Sequence, residues 1–388
     1  MVNVAFLGLV SFFTDVATEM VYPVIPLYLM AVLGATPGLV GVIEGIAESV
    51  ASLLKVFSGY IADRFQQKKG LAFAGYATGI IYKLVLIFAA SWGGVLAARV
   101  VDRVGKGIRT APRDVLVSES TDASSIGKAF GLHKALDMAG SALGILATFF
   151  LVSRMHGVEN YKGLFAISII PGVLGLFMFL FIRQTKTTPP PAAREPFWRQ
   201  ARRIDSQLKL YLVVVLIFTL GNSSNAFMLI RAKSAGFDDT SVILLYFLFS
   251  VVASVLAMPL GHLSDKIGRK KLLVAGYVTF AVCYTGFALS ANRATMIGTF
   301  VLYGVYTALI AGIERAYVAE ISPPDLKGTM LGLQATVAGI ALLPASVIAG
   351  LLWDGYGPAV PFLFGASLSA LAAVILLLFM RPRPVPVA

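Results

Sequence analysis

Between residues 99 and 114 the sequence places seven charged side chains in an otherwise apolar stretch: Arg99, Asp102, Arg103, Lys106, Arg109, Arg113 and Asp114. Steps of three and four put the first six of them on one stripe of a helix. Asp102 can pair with Arg99 or Lys106, which leaves guanidinium groups in surplus. Their planar forks of donors suit a carboxylate, a sulfonate or a phosphate. Two readings are open: a basic wall for a solute cavity, with Arg99, Arg103, Lys106 and Arg109 facing the ligand, or a charge network that locks this helix to its neighbours. A phosphate-loop reading of residues 104–107 fails, because no Gly stands five residues before Lys106 and no Ser or Thr follows it.

Near the start of the chain, Asp15 and Glu19 lie one helical turn apart, and Thr14 and Tyr22 fall on or close to their stripe. Two acids in a low-dielectric cleft do not both ionise readily, so the pair can carry a proton, or it can neutralise the nearby arginines. A third cluster, His133, Lys134 and Asp137, spaces the lysine to pair with the aspartate. His133 is either a titrating group or a helix-contact side chain. Asp15, Glu19, Asp102 and Asp137 are thus the proton-coupling candidates. Tyr22, His133 and Lys134 join the basic wall as solute-contact candidates.

These side chains need elements to hold them, and composition names the elements. The apolar residues make up 57% of the 388, charged residues 13%, and mean hydropathy is +0.82. A soluble domain carries roughly 25% charge. Apolar runs of about 20 residues can be laid down over 4–33, 38–62, 70–90, 92–117, 124–152, 162–183, 209–232, 240–262, 271–290, 294–320, 325–352 and 358–380. Helices are required, since every backbone polar group in lipid needs an internal partner. The fold class is an all-α membrane protein of twelve spans. Eighteen charged side chains inside those spans would cost on the order of 50 kcal/mol if they faced lipid, so most must face water, one another or a ligand. Most lie in the first six spans. The equivalent of the Asp15 helix in the second half is amide-rich, with Asn222 opposite Asp15 and Asn225 one turn on. These amides can bind a solute or join helices.

The net charge of +12 sits mainly in alternate loops. One set holds 17 Lys and Arg residues, among them Lys68, Lys69, Arg269 and Lys270, and the other set holds 5. Positive loops stay cytoplasmic, so both termini are expected there, on a multi-pass inner-membrane protein. This placement points to a bilayer, not to nucleic acid. No charged leader with a small-residue cleavage site opens the sequence, so no signal peptide is expected. Three scattered histidines and the single Cys283 offer no metal cluster, no nucleophile–base set and no disulfide. No catalytic residue, metal or cofactor is expected. No stretch outside the spans is long enough for a soluble signalling module.

The chain also repeats. Residues 59–69, with Asp63 and Arg64, return as 261–271, with Asp265 and Arg269; residues 127–132 return as 328–333. The Pro- and Arg-rich stretch 184–208 then reads as a linker between six-helix bundles at 1–183 and 209–388. Two parallel repeats around one pathway form a transporter plan. At an offset of 201 residues, Arg113-Asp114 becomes Glu314-Arg315, the same ion pair reversed. The two pairs suggest a latch between the halves.

Along its whole length the sequence resembles the major facilitator superfamily. The segment 59–69 resembles that family's motif A, with Gln66 and Gln67 where the motif has Gly and Arg, and it is echoed at 261–271. The resemblance implies that Asp63, Arg64, Asp265 and Arg269 hold a gate. Residues 103–111 resemble motif B, with Lys106 at its Gln position, which gives Arg103 a part in proton transfer. Gly131, Gly140 and Gly144 keep the spacing of the antiporter motif C, although Ile145 stands where a proline follows. The resemblance implies a single-chain transporter that exports a small amphipathic organic solute by proton antiport. The basic wall favours an anion. Proton symport of an organic anion and uncoupled uniport remain the alternatives.

Overall fold

The computed structural model describes residues 2–65, 68–121, 125–154, 160–183, 206–290, 292–310, 312–323 and 327–380. Among these residues all regular structure is helical. In chain order the helices are α1 (Val2–Glu19), a 3₁₀ turn (Tyr22–Val24), α2 (Ile25–Ala31), α3 (Pro37–Phe65), α4 (Lys68–Phe88), α5 (Trp92–Glu119), α6 (Ile126–Arg154), α7 (Asn160–Ile167) and α8 (Ile169–Leu180). The second half adds α9 (Ser206–Gly221), α10 (Ala226–Ser234), α11 (Asp239–Ile267), α12 (Arg269–Leu289), α13 (Arg293–Ile310), α14 (Ile313–Ile321), α15 (Lys327–Tyr356) and α16 (Val360–Phe379).

Eleven helices or continuous helix pairs among the described residues are long and apolar enough to cross a bilayer. The charged helix α5 is not one of them, because its polar stripe breaks the apolar run. At 28 residues it spans about 42 Å, more than a hydrocarbon core needs. The first span is broken after Glu19, where Pro23 and Pro26 open a 3₁₀ turn and the short helix α2. Proline supplies no N–H to the ladder, so the axis is interrupted there.

Two units pack internally. Unit 1 comprises Met1–Thr36, Ile46–Pro191 and Asp238–Phe247, and unit 2 comprises Pro37–Gly45, Ala192–Phe237 and Leu248–Ala388. In unit 1 the seam between α1 and α6 is made by small residues. A Cβ on Gly140 would fall onto the Phe12 carbonyl, and one on Gly144 would lie 2.6 Å from the Val16 carbonyl. Thr148 Oγ1 extends the seam by donating to the Met20 carbonyl at 2.8 Å. Two of the three glycines with motif C spacing therefore bring two backbones into contact. Gly131 has open space around it. Replacing Gly140 with valine must push α1 from α6 and is expected to cost about 1–3 kcal/mol. A lowered melting temperature of the purified protein, beside an unchanged Gly131→Ala control, checks this.

The duplication also shows in side chains at the helix ends. Lys68 opens α4 and pairs with Glu119, the last residue of α5, at 2.5 Å. Arg269 opens α12 and pairs with Glu320 of α14 at 3.0 Å, as well as with Asp265 at 3.0 Å. The next residue in each copy caps another helix end: Lys69 Nζ donates to the Ile182 carbonyl at 2.5 Å, and Lys270 Nζ donates to that of Met380 at 2.6 Å. Basic groups suit the exposed carbonyls of a helix C-terminus. The sequence repeat had set Lys68 against Lys270. The structure sets it against Arg269, because two residues separate α3 from α4 and only Gly268, at φ 96°, separates α11 from α12. These pairs are partly exposed, so Glu119→Gln is expected to change stability by less than about 1 kcal/mol. The double exchange Lys68→Glu with Glu119→Lys should recover the wild-type melting temperature, whereas Lys68→Glu alone should lower it.

Candidate functional site

Helix α5 presents its stripe to the interior of unit 1. Arg99, Asp102 and Arg103 are 1%, 3% and 3% exposed, and Arg109 is also buried. A helix tolerates so many buried charges only where each meets a partner. Asp102 Oδ2 lies 3.8 Å from Arg99 Nη1 and 3.5 Å from Arg103 Nη1. Arg103 Nη2 reaches Glu48 of α3 at 2.5 Å. The ring of Tyr22 lies beneath both bases, 5.3 Å from the Arg99 guanidinium carbon and 5.8 Å from that of Arg103. Arg109 sits 4.7 Å over the Tyr76 ring. Cation–π contacts of this kind strengthen when desolvated.

Lys83 of α4 is buried too. Its Nζ donates to the Gly79 carbonyl at 3.0 Å and lies 5.3 Å from the Tyr82 ring centre. It senses the charge of Asp102 of α5. Lys106 differs from its neighbours in being exposed, while its charge acts on Glu48, Asp102 and Asp15. Within the stripe, Arg99, Asp102 and Arg103 form the network and Lys106 stands out from it.

The two acids of α1 have different partners. Glu19 accepts a hydrogen bond from Tyr246 Oη at 3.1 Å and faces Lys106, Arg103 and Arg99. Asp15 interacts side chain to side chain with Asp137 of α6. The sequence had coupled Asp15 to Glu19, one turn along the same helix. The small-residue seam instead couples it to α6, and packing between helices decided the partner. Asp137 also accepts from Ser11 Oγ at 2.5 Å and from Lys134 Nζ at 3.3 Å. The Lys134 side chain is 65% exposed, so it reaches Asp137 from the rim. His133 is buried, and its Nε2 has no hydrogen-bond partner among the described residues.

A carboxylate oxygen is only an acceptor, so two carboxyls can hydrogen-bond each other only when one holds a proton. Asp15 and Asp137 meet in this way, and the charges of Arg109 and Lys106 act on Asp15.

In unit 2 the amide patch lies at the break between α9 and α10. Asn222 Nδ2 donates to Tyr306 Oη at 3.1 Å, Tyr303 Oη donates to Asn225 Oδ1 at 2.7 Å, and Ser223 lies 3.4 Å from Tyr284 Oη. Ser224 Oγ donates to Glu44, the buried acid of α3. Aromatic rings surround this polar patch, including a stacked Phe280–Tyr284 pair with centroids 3.9 Å apart. That tyrosine-rich lining was not singled out in the sequence, where these rings appear as isolated members of apolar spans.

Of the two pairs expected to form a latch, the first forms as an ion pair and the second does not. Arg113 Nη2 pairs with its own neighbour Asp114 at 2.8 Å. Glu314 and Arg315 do not form the reversed copy of that pair. Arg315 is exposed, and Glu314 turns to Tyr277 Oη at 3.4 Å. Adjacent residues on a helix point 100° apart, and here the tyrosines draw the acid inward. Asp265 and Arg269 pair as described above, while the side chains of Asp63 and Arg64 lie outside the described residues. Among those described, no group of three His, Cys, Asp or Glu side chains is arranged to hold a metal.

Comparison with known proteins gives this geometry its family. The sequence matches the Major Facilitator Superfamily over residues 7–230 and 210–388. It is 35% identical over 382 residues to an uncharacterized MFS-type transporter of Methanocaldococcus jannaschii, covering 97% of this chain and 94% of that one. It is 23% identical over 328 residues to the multidrug resistance protein MdtH of Photorhabdus laumondii, covering 83% and 79% respectively. The fold is similar to the crystal structure of a single-residue mutant of the nucleoside transporter NupG, with a TM-score of 0.82 at 12% identity over 97% of this chain and 99% of that one. A chain with helices long enough to span a bilayer, a duplicated motif A and matches that extend along both halves belongs to the Major Facilitator Superfamily of membrane transporters.

Proposed function

We propose that the protein exports a small amphipathic organic anion by alternating access between its two six-helix bundles, driven by proton antiport. The observation that carries this reading is the Asp15–Asp137 carboxyl pair, set in the same unit as the buried arginines of α5. One proton shared by the pair gives unit 1 two charge states. The guanidinium groups, together with exposed Lys106, supply donors for an anionic head. Unit 2, taken by itself, carries aromatic and amide groups of the kind that hold apolar and polar parts of small solutes. Relatedness to a protein named for multidrug resistance favours export. On this reading the chain acts as a monomer in the cell membrane with both termini cytoplasmic.

The test is a thermal-shift binding screen of the purified protein from about pH 5 to 8, the range in which shared carboxyl protons and histidines exchange. The panel holds small carboxylates, sulfonates, phosphates and lipophilic cations. Stabilisation by anions is the expected result. Stabilisation by cations alone, lost in Asp15→Asn, would reverse the sign of the substrate. Counterflow that does not change with pH would identify an uncoupled uniporter.

A further inference from the structure

In unit 2 one acid, Glu314, lies inside a box of tyrosines. Tyr277 Oη of α12 is 3.4 Å from Glu314 Oε1. Tyr306 of α13 and Tyr211 of α9 lie close enough for their hydroxyls to sense its charge. Tyr211 and Tyr277 are fully buried, and Tyr306 is 5% exposed. The ring of Tyr211 packs edge-on against Tyr317 at 5.2 Å, and that of Tyr277 stacks on Phe218 at 4.1 Å. Among the described residues no salt bridge to Glu314 is formed; Arg315 beside it is exposed, and its charge acts on Glu314 from that side. Helix α15, which also packs on α14, carries no titratable side chain between Gly328 and Trp353.

A second observation is independent of this ring of contacts. The Tyr211 hydroxyl is buried and meets no hydrogen-bond partner among the described residues. An unpaired buried donor costs free energy, and an ionised carboxylate nearby would relieve that cost by accepting from it. The duplication adds a contrast. Tyr76 and Tyr277 occupy the same place in their helices, eight residues after Lys68 and Arg269. Tyr76 lies within reach of Arg113, while Tyr277 meets Glu314, so the duplicated position carries a base in one unit and an acid in the other.

We propose that Glu314 is a second proton-carrying site, in unit 2, which binds and releases a proton during the transport cycle. This deepens the proton-coupled reading above and rests on it. On release, the O–H bond of the carboxylic acid breaks and the proton passes to water. The carboxylate left behind gains the Tyr277 and Tyr211 hydroxyls as donors. On uptake the acid is neutral, and the surrounding rings form a suitable apolar wall for it. The phenols thus accommodate both charge states, with the exposed Arg315 acting on the ionised form only through its charge.

Infrared difference spectra of the full chain, recorded between acid and alkaline pH, test this without a known substrate. The wild type should lose carbonyl-stretch intensity of protonated carboxylic acids on alkalinisation. One component of that loss should be absent from Glu314→Gln and retained in Asp137→Asn. Tyr277→Phe, which keeps the acid but removes a donor to its ionised form, should move the midpoint of that component to higher pH by about one unit. A Glu314→Gln spectrum identical to wild type would overturn the proposal, as would a midpoint unmoved in Tyr277→Phe. A missing Asp137 component beside an intact Glu314 component would instead remove the Asp15–Asp137 coupling site and leave the second site standing.

Discussion

Arg103→Ala is expected to have the largest effect of any single substitution in unit 1, on both stability and ligand binding. The guanidinium joins three groups: Glu48 at 2.5 Å, Asp102 at 3.5 Å and the ring of Tyr22. Removing it strips Asp102 of one of the two arginines within 4 Å and takes away the 2.5 Å contact to the Glu48 carboxylate. Breaking a buried pair from one side costs about 3–5 kcal/mol, because the remaining charge stays desolvated. The melting temperature of purified Arg103→Ala should fall well below wild type. Glu48→Gln should fall less, since that carboxyl is 31% exposed and its replacement keeps a polar partner for the guanidinium. Anion binding should weaken by about 10- to 150-fold, the equivalent of one charge-assisted hydrogen-bonded contact. Arg103→Lys separates the two effects. It retains charge for the network but loses the planar fork, so stability should be largely recovered and anion affinity should not. Equal recovery of both would make the α5 stripe a purely structural network.

Asp137→Asn is expected to abolish proton-driven flux while sparing exchange. Asp137 is joined to Asp15, Ser11 and Lys134. An asparagine fills nearly the same volume and can donate to Asp15, so the seam between α1 and α6 should remain closed. Yet it cannot pick up or release the proton. In proteoliposomes, accumulation driven by a pH gradient should fall to background, and counterflow of the same solute should continue. The pH dependence of counterflow should also flatten, because the unit then has one charge state where wild type has two. Asp15→Asn should reproduce this phenotype, since the two carboxyls act as one unit, and the double variant should be no worse than either single one. Glu19→Gln should behave differently. Its carboxyl accepts from Tyr246 and faces the bases of α5, so its loss should alter anion binding before it alters proton coupling. If Glu19→Gln uncouples and Asp137→Asn does not, the proton resides one turn further along α1.

The two substitutions probe different origins of the site. Residues 99–114 announce themselves in the sequence, because charges in an apolar run are costly and their spacing of three and four fixes a common face. The span plan, the duplication and the family follow from the same local quantities: hydropathy over about 20 residues, helical period and short repeated motifs. The charged α5 could be recognised as a span because its length matches the bilayer even though its polarity does not. None of these inferences needs knowledge of which helix lies beside which.

The partners of each charge depend on that knowledge. Asp15 had a candidate partner at Glu19 by helical period, and its actual partner, Asp137, lies 122 residues away, brought there by two glycines whose missing side chains let backbones touch. Glu314 read as half of an ion pair with Arg315 and lies instead among tyrosines contributed by several helices. The register of the second basic loop turned on one fewer residue between helices, which put Arg269, not Lys270, opposite Glu320. Composition and periodicity determine what a helix carries and which face carries it, because both are properties of a single segment. The identity of the facing group is decided by packing between segments far apart in the chain, and only the tertiary structure contains that.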